Sequence, residues 1–470
     1  MTREQAEAIY FQGKEAVIDC LLQFAARLQH VEEQVAKNSN NSSKPPSSDG
    51  LSKETLKPMP QSLRKKTGKK PGAQPGHTGK TLLPVESPDQ IVEHRPATCQ
   101  KCDADLRNAP DVSYTRRQVF EMPKPKVIVT EHRAFTVTCS CCGKESSGAF
   151  PEEVKNPVQY GPNFLGLATY LHSVHLLPYH RCATIMRELT DCSFSCGSLH
   201  RALTVAAECL SHFDRKLQQT LSKTALLHAD ETGSRVAGKS HWVHVRCNQR
   251  LCRLFLHERR GGEAVRDLAD YDGRLVSDFF SSYVRLSCSH QFCCAHLLRE
   301  LTFAHAILKQ PWAGSLKNIL EQMVSSCHSV RASGETLAAT GEELARQFDA
   351  LVGEGLARNP LPETKPKGRG RPAKGKVRCL LERLRDYREQ YLAFLFDLSL
   401  PFTNNEAERD IRMLKVKGKV SGCFRTVTGA EVFCRLRSYI VTCQKQGMAL
   451  LECLRSVFAG SPILPALNPT

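Results

Sequence analysis

The sequence predicts a multidomain α+β protein: an N-terminal helical coiled coil, a small cysteine-rich β domain, a helical domain, and an α/β core with a helical insertion. Three observations carry that reading. Apolar residues recur with a heptad period near the N-terminus, and two cysteine pairs bracket an alternating stretch. Further on, two apolar runs each end in an acid, with helical patterns on either side.

At 470 residues the chain is long enough for about three domains. Hydrophobic residues make up 41%, as in a globular protein, and no apolar run approaches the ~18 residues a membrane span needs. The N-terminus MTREQAEAIY has no signal-peptide core, so a cytoplasmic, nucleoid-associated protein with no membrane partner is expected. The formal charge is +17, and most of it sits in two blocks. Residues 51–80 hold eight cations (Arg64, Lys65 and Lys66 at their centre) against Glu54 alone, and residues 364–378 hold seven with no acid. Charge concentrated in this way favours a polyanion, most simply nucleic acid; a pair of solvated basic linkers is the alternative. The 21 cysteines, without a secretion signal, point to reduced thiols and metal binding rather than disulfides.

Taken in order, Val17, Leu21, Phe24, Leu28, Val31 and Val35 form an a/d seam over residues 1–37. It suits a coiled coil and self-association, or an amphipathic helix docked on its own domain. Residues 38–85, rich in Asn, Ser, Pro and Lys, read as a flexible basic linker. Residues 86–150 hold the knuckles Cys99/Cys102 and Cys139/Cys142, with Cys141 a rival ligand. Four thiolates in this spacing suit structural Zn²⁺; unliganded thiols are the alternative. The spacer "KVIVTEHRAFTVTC" alternates like paired strands, which would bring the knuckles together, and Gly143 fits a turn. Residues 156–222 read as helical, either a packing bundle or a helix-turn-helix, with Ser195 or Ser198 as a cap.

The pattern then turns to strands. "ALLHADETG" ends in Asp230, "HWVHVRC" and "LCRLFLH" follow, and "GRLVSDFF" ends in Asp278. Three strands, a helical crossover and a fourth strand would set both acids on neighbouring strands, the skeleton of a ribonuclease-H-like core. Two nearby carboxylates favour a hard divalent cation, Mg²⁺ or Mn²⁺; ordinary strand-end aspartates are the bland alternative. As a helix, residues 404–419 align Asn404, Glu408, Arg412, Lys415 and Lys419 on one face, with Arg409 beside them. Ala407, Ile411 and Leu414 form an apolar face that docks the helix on the sheet. The acid would then serve a metal and the bases DNA. The core spans 223–425, with a helical insertion at about 304–400, and 426–470 is a C-terminal helical segment. Within the insertion, Arg369-Gly370-Arg371-Pro372 has the pattern of a minor-groove hook, or of a merely basic loop.

Several motifs occur together and in order: "KNSNNSSKPPSSD", "GAQPGHTGKTL", the paired cysteines, "QYGPNFLGLATYLHSVHLLPYHR", "HADETG", "CAHLLREL" and "NNEAERDIRMLKVKGKVSGCFRT". As an ordered set they resemble the Insertion Sequence 66 family of Asp-Asp-Glu transposases. The resemblance implies a catalytic triad of Asp230, Asp278 and Glu408 with Mg²⁺ or Mn²⁺, and double-stranded DNA, both element ends and target, as substrate. It also implies a homo-oligomer working with accessory proteins encoded by the element. His296, in "C-A-H", would position water or DNA or simply pack; Asn404 and Asn405 are auxiliary candidates. The family usually has Asp where this chain has Thr403, a residue still able to cap a helix. A nuclease without strand transfer, or an inactive DNA-binding descendant, are the rival functional readings.

Overall fold

A computed structural model describes residues 2–37, 41, 72, 76–79, 81–123, 125–333, 338–361 and 374–468. Arg64, Lys65 and Lys66 of the basic linker, and Arg369 and Arg371 of the basic loop, lie outside the described residues.

The N-terminus forms two helices, α1 (Arg3–Phe11) and α2 (Lys14–Ala36), with Thr2 and Gln5 closing a reciprocal capping box on α1. The heptad residues fall on α2, where Leu21, Phe24, Leu28 and Val31 are all more than half exposed. In the cysteine-rich region the strands are β1 (Thr136–Thr138) and β2 (Glu145–Ser147), an antiparallel hairpin across the second knuckle. Among the described residues of the spacer, the strand pairing expected across the rest of it is not formed. Its apolar residues have no core to pack on: Val112, Tyr114, Val119, Ile128 and Val129 are almost fully exposed. Alternation yields strands only where one face can be buried.

Four helices follow: α3 (Pro162–Ser173), α4 (Tyr179–Thr190), α5 (Cys196–Cys209) and α6 (Ser211–Leu221). Pro162 suits the first turn of α3, and the Ser195 hydroxyl caps α5 by accepting from the Ser198 amide. The sheet comes next, with β3 (Leu226–Val236), β4 (Lys239–Cys247), β5 (Cys252–His257), β6 (Arg274–Ser277), a short α7 (Ser281–Val284) and β7 (Ser289–Phe292). Its order is β5-β4-β3-β6-β7; β3, β4 and β5 are antiparallel, while β6 and β7 run parallel to β3. Ala237 and Gly238 both take positive φ, the twist-matched two-residue turn between β3 and β4. The crossover from β5 to β6 uses a 3₁₀ segment, Gly262–Leu268, where a helix was expected. The sixteen intervening residues, with the turn-forming pair Gly261-Gly262 near their start, leave little room for a longer one.

The remaining helices are α8 (Cys294–Ala306), α9 (Pro311–Ser333), α10 (Ala338–Arg358), α11 (Lys376–Asp386), α12 (Arg388–Phe396), α13 (Asn405–Ser421), α14 (Val427–Lys445) and α15 (Leu450–Phe458). Helices α8–α12 bury their own cluster around Trp312, Leu316, Phe348 and Leu381, with Phe292 of β7 attached. One face of the sheet, through Leu227, Ala229 and Leu275, shares a core with α3–α6, α14 and α15. Helix α13 lies on the other face, where Ala407, Ile411 and Leu414 meet Val243, Val245 and Cys247.

Candidate active site

Strand register sets the first two carboxylates. Leu227 and His228 pair in parallel with Leu275 and Val276, so Asp230, within β3, and Asp278, directly after β6, lie on neighbouring strands at the C-terminal end of β6; β3 runs on to Val236 through its pairing with β4, so Asp230 is not the strand end expected of it. Asp230 pairs with Val245 of β4, a residue in the cluster that receives α13. Helix periodicity then turns Glu408 toward this end of the sheet while Ala407 and Ile411 are buried. On the far side of α13, Lys445 of α14 lies 2.6 Å from Glu406 and 2.8 Å from Asp410, so two of the helix's acids fix its orientation and leave Glu408 for the site.

The start of α13 is held by Asn404, a buried residue. Its Nδ2 donates to the Ala229 carbonyl (2.8 Å), its Oδ1 lies 2.9 Å from His228 Nδ1, and its backbone amide donates to Cys293 Sγ (3.2 Å). The Asn404 carbonyl in turn accepts from the Glu408 amide. Asn404, not Thr403, is the N-cap, and its side chain faces the sheet rather than the helix amides. The clamp thus ties the residue before Asp230 to the turn that carries Glu408. Asn404→Ala is expected to cost about 2 kcal/mol, since two buried groups lose partners. It should also raise the Mg²⁺ concentration giving the half-maximal rise in melting temperature. A variant unchanged in both melting and metal titration would remove the clamp from the site.

Burial and neighbouring charge raise two of these carboxylates. Burial pushes Asp230 up to about 8, helped by the charges of Glu231, Asp278 and Glu408. Asp278 rises to about 6 through burial, then Glu231 and Glu408, against the opposing charge of Arg260. Asp278 Oδ1, Glu408 Oε1 and His296 Nδ1 are buried atoms without a hydrogen-bond partner. Mutually repelling carboxylates with orphaned oxygens are the donor set a hard divalent cation satisfies, so the residues fit Mg²⁺ or Mn²⁺. Among the described residues, the one group of three whose ligand atoms all lie within 4.8 Å is Cys293, His296 and Glu408. The three carboxylates Asp230, Asp278 and Glu408 do not all fall within that distance of one another.

His296 Nδ1 stands 3.8 Å from Glu408 Oε1, and burial lowers its pKa, favouring the neutral ring. Cys293, which sequence reasoning missed, is pushed up to about 11 by burial and stays a thiol, suited to accepting the Asn404 amide rather than to binding metal. Glu231, Arg260 and Tyr283 were also missed. Glu231 was legible only as a second acid beside Asp230. Of the basic residues on α13, Arg409, Arg412, Lys415 and Lys419 are all exposed, as is Asn405 at its first turn; Arg409 lies 3.6 Å from Glu406.

The two cysteine knuckles repeat one backbone design. The Cys99 carbonyl accepts from the Asp103 amide and the Cys139 carbonyl from the Gly143 amide, with Asp103 and Gly143 at positive φ. Amides of Lys101 and Cys102 lower the Cys99 thiol, and those of Cys142 and Cys141 lower Cys139. The Cys102 and Cys142 side chains also lower those two thiols, whereas Cys141 acts through its backbone amide. Each knuckle is thus a preformed half-site for thiolate ligation, although the four sulfurs do not form one cluster.

Residues 157–432 match the family described as Transposase IS66 family, and residues 96–143 match the zinc-finger binding domain of transposase IS66. Residues 5–82 match a family of unknown function. A search of curated proteins returned no match.

Proposed function

The chain belongs to the IS66 transposase family, and from that premise we propose that it cuts and joins DNA at the ends of its insertion sequence through Asp230, Asp278 and Glu408. The observation carrying this reading is the convergence of three carboxylates from two adjacent strands and a docked helix, with Asp230 and Asp278 raised by burial and neighbouring charge, and Asp278 and Glu408 carrying orphaned oxygens. The sheet order, three antiparallel strands followed by two parallel ones, supports a ribonuclease-H-like core.

A divalent cation held by these carboxylates would supply Lewis-acid charge for an in-line phosphoryl transfer. The chain's own residues do the rest. Asn404 and Lys445 hold the helix bearing Glu408 in register with Asp230. The exposed stripe Arg409, Arg412, Lys415 and Lys419 sits along the same helix, suited to phosphates on either side of the reacting one. His296, neutral and beside Glu408, can orient a water or hydroxyl without adding charge. The chemistry needs no covalent protein intermediate. The exposed heptad face of α2 supports self-association, which suits a reaction that must hold two DNA ends. The test is incubation of the purified protein with Mg²⁺ and duplexes carrying an element end. Cleavage at the end followed by joining to a target supports the reading, whereas cleavage with no joined product reduces it to a nuclease.

The matched zinc-finger domain supports structural zinc, and we assign Cys99, Cys102, Cys139 and Cys142 as its ligands. A module this exposed has little core of its own, so metal should supply much of its folding energy. About one Zn²⁺ per chain is expected by elemental analysis. Cys99→Ser or Cys139→Ser should release it and open residues 96–143 to proteolysis. Purified protein without zinc would overturn the assignment.

A further inference from the structure

We propose that Arg260 is a DNA-phosphate ligand at the edge of the active site, its guanidinium fixed in place to take a backbone oxygen next to the reacting phosphate. The inference rests on the transposase reading above. Arg260 follows β5 in the loop before the 3₁₀ segment, and three contacts immobilise it. Its Nε and Nη2 lie 2.8 and 2.7 Å from Glu231 Oε1, and its guanidinium sits 4.1 Å from the centre of the Phe280 ring and 5.0 Å from that of Trp242. Phe280 is two residues beyond Asp278. Glu231 directly follows Asp230, so these two contacts set the guanidinium beside both strand-borne carboxylates.

A purely structural role accounts for only half of this arrangement. Glu231 is 1% exposed and needs compensation, and it receives it from Arg260 and from the Tyr283 hydroxyl at 2.8 Å. The Arg260 side chain is nevertheless 43% exposed, and Nη1 is not engaged by Glu231. A guanidinium carries five donors in a planar fork suited to phosphate oxygens. Here the plane is held by two rings, so little side-chain freedom remains to be lost on binding. Neighbouring Arg259 shows the contrast: it is 71% exposed and paired only with surface Glu263. The stripe on α13 is likewise exposed and suits general attraction to DNA, whereas the anchored Arg260 suits registration of one phosphate against Asp278.

Arg260→Gln alone would strand a buried carboxylate, so the informative comparison is Glu231→Gln against Glu231→Gln/Arg260→Gln. In both, the buried charge is gone; only the second also removes the guanidinium. Binding of a duplex carrying one element end is measured in metal-free buffer over a range of salt concentrations. The double variant is expected to have a slope of log K against log salt shallower by about 0.9, one phosphate contact. With Mg²⁺ present, its cleavage should fall about 10–100-fold below that of Glu231→Gln. Equal slopes would overturn the proposal and leave Arg260 as the partner of Glu231 alone. A wild-type protein that binds but never cleaves would overturn the transposase reading instead, and the slopes would still decide the role of Arg260.

Discussion

Asp230→Asn, Asp278→Asn and Glu408→Gln are each expected to lower Mg²⁺-dependent cleavage and joining of element-end DNA about a thousandfold or more, while leaving DNA affinity nearly unchanged. Each change removes one negative charge and one metal-binding oxygen, and a loss of about 4 kcal/mol of transition-state stabilisation corresponds to that factor. The groups suited to holding DNA, the exposed cations of α13 among them, are untouched. The three variants should also fail in the same way. After burial, Asp278 and Glu408 help to raise Asp230, and Glu408 helps to raise Asp278, so the three act as one electrostatic unit, and deleting any member disables it. Pairwise combinations should therefore be hardly worse than single variants. A member that retains near-wild-type strand transfer at saturating Mg²⁺ does not belong to the metal site, and His296 beside Glu408 would be the next candidate.

The parts of this site that could be read in advance are those set by short-range periodicity. Asp230 and Asp278 each close an apolar run that becomes a buried stretch of strand, although only β6 stops there and β3 continues to Val236. Glu408 could be placed because Ala407, Ile411 and Leu414 define which side of α13 is buried. Ser195 could be read as a cap for the same local reason. Contacts made across long stretches of sequence carried no such signal. Glu231 and Arg260 are 29 positions apart, and Asn404 bonds to His228 at a separation of 176. Asn404 read as the first member of a helical stripe, yet it lies just before the helix with its side chain turned into the sheet. The spacer between the knuckles failed in the opposite direction. Its alternation was clear, but strands need a neighbour and a buried face, and this segment has little of either.

Asp230→Asn, disabling for catalysis, is expected to stabilise the metal-free protein at alkaline pH. The reason is the cost of an ionised carboxylate in a crowded, buried place. Asp230 is pushed up to about 8 in the folded chain, against an ordinary value of 3.8 that the unfolded chain should approach. Below both values the group is protonated in either state and has no effect on stability. As pH rises past 3.8 the unfolded chain sheds the proton while the folded chain holds it, so the unfolded state gains ground until the folded group also ionises near 8. Above that point the penalty is complete, up to about 6 kcal/mol for a shift of this size. Asparagine carries no such charge, and its side-chain oxygen can still accept the Glu231 amide, as Asp230 Oδ1 does at 2.8 Å. In EDTA at pH 8.5 the variant should melt about 5 °C above the wild type. The gap should narrow as pH falls and close near pH 4. Added Mg²⁺ should raise the melting temperature of the wild type toward that of the variant, because an ion that binds only the folded state relieves the same repulsion. The variant itself should respond weakly to Mg²⁺. Equal melting temperatures at pH 8.5, or a gap independent of pH, would mean that Asp230 is not held against its own charge and that the three carboxylates are not a site built for a cation.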